Sequence, residues 1–73
     1  MEDTMAVSYK KLWKLLIDKN MKKIELQNSA GISGNVLAKL GKDEYISMES
    51  IGKICTALKC NVGDIMDIIP DEQ

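Results

Sequence analysis

From Ser8 to Lys19, leucines recur at 12, 15 and 16, with Tyr9, Trp13 and Ile17 broadening the apolar arc. Lys10, Lys11 and Lys14 take the other side. This three-and-four spacing predicts an amphipathic helix capped by Ser8 and stopping at Asn20, a residue that tolerates the left-handed conformation. Lys22 to Ala30 reads as a short second helix on Ile24, Leu26 and Ala30, followed by Gly31 as a left-handed turn residue. Ser33 can cap a third helix, Gly34 to Leu40, whose inner face is Val36, Leu37 and Leu40 and which Gly41 can terminate.

The second half continues the pattern. Ser47 can cap a fourth helix running to about Lys59, where Met48, Ile51, Ile54, Cys55 and Leu58 form one stripe. Asn61 can cap a fifth, with Asp64 three residues on as a capping-box partner, a stripe of Val62, Ile65, Met66 and Ile69, and Pro70 as its end. No strand alternation of useful length is visible. The pattern predicts an all-α, five-helix single domain over residues 1–73, with a flexible N-terminus (1–7), a helical core (8–69) and a tail (70–73).

Composition narrows the chemistry. With 73 residues, 45% hydrophobic and 29% charged, the chain is one globular domain near the lower size limit for a self-sufficient core. It has no His and only two cysteines, Cys55 and Cys60, too few ligands for a zinc site, so no catalytic residue, metal or cofactor is indicated. No small-molecule ligand is evident either. The acidic start Met1-Glu2-Asp3-Thr4 lacks the apolar core of a signal peptide, and no stretch approaches a membrane span. The expectation is a cytoplasmic protein with reduced thiols.

Charge is unevenly spread. Net charge is only −1, yet residues 10–42 hold eight lysines against Asp18 and Glu25, a local +6. Residues 43–73 hold Lys53 and Lys59 against seven acids, a local −5. A cationic first half suits a polyanionic partner.

The run Met21 to Lys42 resembles the helix-turn-helix of the Cro/phage-repressor (XRE-type) family. Ser47 to Leu58 and Asn61 to Met66 resemble that family's fourth and fifth helices, so the resemblance spans roughly Ser8 to Ile69. It implies a lambda-repressor-like fold with the helix-turn-helix at helices 2 and 3. The residues fit on physical grounds too. Leu26, Ala30, Ile32, Leu37 and Leu40 can bury together and fix the angle of the two helices.

The resemblance implies the DNA-binding positions. Lys23 begins helix 2 and would meet a phosphate or base edge, with Lys22 beside it. Ser33, Gly34, Asn35 and Val36 are the recognition positions opening helix 3. Lys39 is the base-reading position one turn on, and Lys42 the phosphate contact after the helix. Asn suits adenine, Lys suits guanine O6 and N7, and Val36 could touch a thymine methyl.

Departures from the family pattern are expected to matter locally. Gln27 stands where Ala is usual. Leu16 and Gly41 replace an Arg–Glu pair, and losing both ends of a buried ion pair can be close to neutral. Gly52 replaces a large apolar residue, predicting a cavity or a close helix approach, within the chain or across a dimer. With no Arg, bidentate guanidinium contacts are impossible.

Several conspicuous residues have plainer readings. Tyr9 and Trp13 are expected to pack in or beside the core. Cys55 and Cys60 are expected as small buried hydrophobes, Met48 and Met66 as gap-fillers, and Lys10, Lys11 and Lys14 as a solvated face. Tyr45 could cover the core or meet a second copy.

The functional expectation is a non-enzymatic, sequence-specific regulator, acting as a repressor and binding double-stranded DNA as a homodimer. The dimer face is expected in the acidic half, with Ile68, Ile69, Gly52 and Tyr45. The alternative is a protein-interaction module on the same fold, such as an antitoxin or antirepressor.

Overall fold

Two segments that the hydrophobic pattern left out of the helical core, or gave to its end, pair with each other. A computed structural model of the protein, describing residues 5–70, places β1 (Met5–Ser8) antiparallel to β2 (Asp67–Pro70), with Val7 opposite Ile68 and Ala6 opposite Ile69. Between them lie α1 (Lys10–Asp18), α2 (Lys23–Ala30), α3 (Gly34–Gly41) and α4 (Met48–Leu58). The expected fifth helix is reduced to one turn of 3-10 helix, Val62–Asp64. The fold among the described residues is therefore four α-helices closed by a two-stranded clasp, not five helices. Residues 5–7 belong to a strand; residues 1–4 of the expected N-terminal arm and 71–73 of the expected tail lie outside the described residues.

The reason for the lost fifth helix is local. Asn61 and Asp64 do form the expected start, the Asn61 N–H donating to Asp64 Oδ2 at 3.0 Å. The turn then stops, because Ile65 drops into the core and Asp67 onward pairs with β1. Pro70, read as a helix terminator, sits instead at the end of a strand, a position where a missing N–H is tolerated.

The core is a single cluster. Tyr9, Leu12, Leu26, Leu40, Ile54 and Ile65 are fully buried, and Val7, Leu16, Ala30, Ile32, Ile51 and Leu58 nearly so. Each such aliphatic side chain contributes on the order of 1.5–3 kcal/mol relative to exposure. No polar or charged residue is buried among the described residues. Leu16, in the place of a family arginine, is simply part of this core. Gly52 faces outward, and a Cβ there would meet nothing within 4 Å, so it neither closes a helix contact nor leaves an internal void. Ile17 (76% exposed), Ile24 (53%) and Met48 (74%) lie outside the core despite their periodic placement.

Each of the four α-helices is followed within two residues by one in the left-handed conformation: Asn20, Gly31, Asp43 and Lys59, with φ of 56°, 69°, 56° and 57°. The following N–H in each case reaches back to a carbonyl of the last turn, as Met21 does to Leu16 and Ile32 to Gln27. These are Schellman closures, which satisfy carbonyls the helix leaves open. Asn20 takes the predicted role. Gly41 does not: it is the last residue of α3, and Asp43 makes the turn.

Asp43 has a second task. Its Oδ1 accepts the Tyr9 N–H at 3.2 Å, while the Tyr9 hydroxyl donates to the Glu44 carbonyl at 2.7 Å. Tyr9, not Ser8, is the N-cap residue of α1; Ser8 Oγ accepts from the Lys10 N–H at 3.3 Å. One buried aromatic thus ties the start of α1 to the loop that follows α3. Burial foremost, then the nearby Asp43 and Tyr45, pushes the Tyr9 phenol above its ordinary pKa.

Candidate nucleic-acid interface

The turn between α2 and α3 is built as the sequence predicts. Gly31 adopts φ 69°, Ile32 is buried, and Ser33 Oγ accepts the Val36 N–H at 3.2 Å, capping α3. Leu26 and Ala30 of α2 and Leu40 of α3 are buried in the same cluster, with Leu37 half-buried against it. The scaffold therefore holds two short helices through their inner faces and leaves the outer face of α3 open.

On that outer face, Ser33, Gly34, Asn35, Ala38, Lys39 and Lys42 are all exposed. Asn35, Ala38, Lys39 and Lys42 follow the three-and-four spacing that puts residues on one side of a helix. A Cβ on Gly34 would meet no atom within 4 Å, so nothing inside the protein requires a glycine there. Val36 is half-buried and packs against the core, as its place on the inner face of the helix predicts, with part of it still accessible. Lys39 lies in the last turn of α3 and Lys42 is its C-cap, where cations are favoured by the helix dipole.

The start of α2 supplies the second half of the face. Lys22 is the N-cap residue, and its N–H donates to Glu25 Oε1 at 2.7 Å. Lys23 opens the helix, and its ammonium sits 4.4 Å from the centre of the Trp13 ring, a cation–π contact. The tryptophan, expected as shoulder packing, is half-buried on α1 and also positions a candidate DNA-contacting lysine. Composition gives no sign of this contact, since residues 13 and 23 belong to different helices.

The lysines of α1 divide. Lys11 pairs with Asp67 at 3.1 Å and donates to the Gly63 carbonyl at 3.1 Å, tying α1 to the C-terminal segment. Lys10 and Lys14 are exposed. Among the described residues no group of three or more His, Cys, Asp or Glu could hold a metal ion, and no helix is long and apolar enough to cross a membrane.

The face so assembled offers hydrogen-bond donors, a side-chain amide and cations on the exposed side of a helix. It matches what known sequences show. Residues 11–71 match the model of the Cro/C1-type HTH DNA-binding domain. The chain belongs to this Cro/C1-type helix-turn-helix family. It is also similar to the solved "Crystal structure of transcriptional regulator VanUg, Form II", at 48% identity and a TM-score of 0.89, over 97% of this chain and 93% of that one. No curated protein matches. In the terms of its family, the chain's helix-turn-helix is α2, the Gly31–Ser33 turn and α3, with α1 and α4 as its support.

Proposed function

We propose that this protein is a sequence-specific, DNA-binding transcriptional regulator acting in the cytoplasm as a repressor, with α3 entering the major groove. The observation that carries the reading is the exposed row Asn35, Lys39 and Lys42 on a capped α3 within a Cro/C1-type domain. Asn35 is assigned to an adenine edge and Lys39 to guanine O6 and N7. Ser33 and Gly34 line the close approach, and Val36 supports the base of the helix from its half-buried place. Lys22, Lys23 and Lys42 neutralise phosphates. The similar solved protein is described as a transcriptional regulator, which supports the same role here.

The working form is a homodimer. One small module reads few base pairs, and a two-fold site doubles the contacts. Ile68 and Ile69 are 55% and 48% exposed on β2, and Tyr45 is also exposed, which supports an apolar contact at that end.

Selection of bound sequences from random double-stranded DNA, followed by gel-shift titration at several salt concentrations, tests the assignment. A two-fold consensus and an affinity falling steeply with salt are expected. No retardation at micromolar protein in low salt would overturn it and favour a protein-binding module on the same fold.

A further inference from the structure

Away from the helix-turn-helix, the two cysteines are placed together. Both are free thiols, and both are half-buried against the core rather than fully buried. Cys55 lies in the last turn of α4, and Lys59 follows the helix in the left-handed conformation. The Cys60 N–H donates to the Cys55 carbonyl at 3.0 Å and the Lys59 N–H to the Thr56 carbonyl at 3.3 Å. In such a Schellman closure the two residues at the Cys55 and Cys60 positions characteristically touch through their side chains. Standard backbone bond lengths added to that 3.0 Å bond keep the two Cα atoms at most about 7 Å apart. A disulfide spans about 4.4–6.8 Å between Cα atoms, and the two thiols are in side-chain hydrogen-bonding contact, so the closure places the pair within reach.

The surroundings differ for the two thiols. Cys60 lines an open depression of about 370 Å³ between α1 and the end of α4, whereas Cys55 does not. Lys11, Lys14, Lys19 and Lys59 rim that depression against Asp18 and Asp64, an excess of two positive charges. Lys11 is paired with Asp67, which leaves Lys14, Lys19 and Lys59 as the cationic rim against Asp18 and Asp64, a remaining excess of one positive charge. An anionic reagent is thus drawn to Cys60 in preference to a neutral one.

We propose that Cys55 and Cys60 form a reversible intramolecular disulfide, made by exchange with a small anionic disulfide that enters at Cys60. The Cys60 thiolate attacks one sulfur of the disulfide RS–SR, forming the mixed disulfide Cys60–S–SR and releasing RS⁻, which takes up a proton. Cys55, deprotonated in turn, attacks the Cys60 sulfur; the Cys55–Cys60 bond forms, the bond to SR breaks, and a second RS⁻ leaves. The protein loses two hydrogens and the reagent is reduced to two thiols. Burial first, then Cys55, raises the Cys60 thiol above its ordinary pKa; Asp64 adds to this and Lys19 opposes it. The first step therefore quickens as pH rises, because only the thiolate attacks. The product cross-links the turn that leads from α4 towards β2.

Glutathione disulfide is the probe, with the neutral disulfide of 2-mercaptoethanol as comparison. The folded wild-type protein is expected to lose both titratable thiols, to become lighter by two hydrogens, and to yield a peptide joining residue 55 to residue 60. Cys55→Ser should stall as a glutathione adduct on Cys60. The preference for the anionic reagent should be several-fold higher in the folded chain than in the urea-unfolded chain, and should fade with added salt. A folded chain that keeps both thiols while the unfolded chain oxidises would overturn the proposal. So would a wild-type product that remains a mixed disulfide or links two chains. An equal reagent preference in the folded and unfolded chain would overturn entry through the cationic rim.

Discussion

The Lys23 ammonium rests 4.4 Å from the centre of the Trp13 ring, so the first residue of α2 is held by a side chain of α1. The ring restrains the lysine without neutralising it, unlike a carboxylate. A cation–π contact at an exposed site contributes about 0.5–1 kcal/mol. Lys23→Met should lower stability by about that amount. Trp13 is the only tryptophan, so its fluorescence reports on this one place. Emission should change when the wild-type protein binds DNA, and Lys23→Met should remove most of that change. An unaltered response in the variant would dissociate Lys23 from the interface.

Two lysines of the α3 region should behave differently. Lys39→Ala should flatten discrimination at one or two base pairs of a selected site, by about 1–3 kcal/mol at the affected pair. Lys42→Ala should weaken all sequences alike and reduce the salt slope by about one. Titration of the preferred site and its single-base variants at several salt concentrations separates the two outcomes. If both variants weaken all sequences equally, Lys39 is a phosphate contact and base reading rests on Asn35.

Gly34 offers a test in which stability and binding move in opposite directions. Nothing in the protein fills the space beside its Cα, and glycine weakens a helix relative to alanine by up to about 1 kcal/mol. Gly34→Ala should raise the unfolding midpoint slightly. The same methyl group at the opening of α3 should reduce DNA affinity, if the backbone there approaches a groove floor. Equal affinity with raised stability would show that the helix docks further away.

Tyr9 links pH to stability. Its phenol titrates higher folded than the ordinary value near 10, because burial disfavours the phenolate. A raised folded-state pKa means stability fully present below pH 10 and lost as pH climbs through the folded value. Tyr9→Phe removes the hydrogen bond to the Glu44 carbonyl and should cost about 0.5–1.5 kcal/mol at neutral pH. The variant should then lose less stability than wild type between pH 9 and 11, as about two denaturant midpoints per protein can show. Parallel curves would mean the alkaline loss comes from other groups.

The helix-turn-helix is legible from local signals. Gly31, Ser33 and the apolar positions 26, 30, 32 and 40 sit a few residues apart and act on each other directly. The same holds for Ser47, whose side chain accepts the Ser50 N–H at 3.1 Å as its cap role predicts. The strands are not legible, because four residues are too few for an alternation and each is ordered only by the other. Asp67-Ile-Ile-Pro reads equally well as the end of a helix. The tie between Tyr9 and the loop at residues 43 and 44 is hidden for the same reason: it joins polar groups of distant segments. Ile17, Ile24 and Met48 are exposed despite their spacing because periodicity marks which side of a helix a residue takes, not whether anything lies opposite.

The β1–β2 clasp has a consequence for the order of folding. It joins positions 5 and 70, so it closes the longest loop in the described chain, while each helix and its closure forms among near neighbours. Loop entropy places such a contact late on the folding route. Its few hydrogen bonds at the rim should also be the first to open, exchanging their amide hydrogens before those of α4. The domain would then loosen first where its two ends meet, while the helices and their closures are still in place.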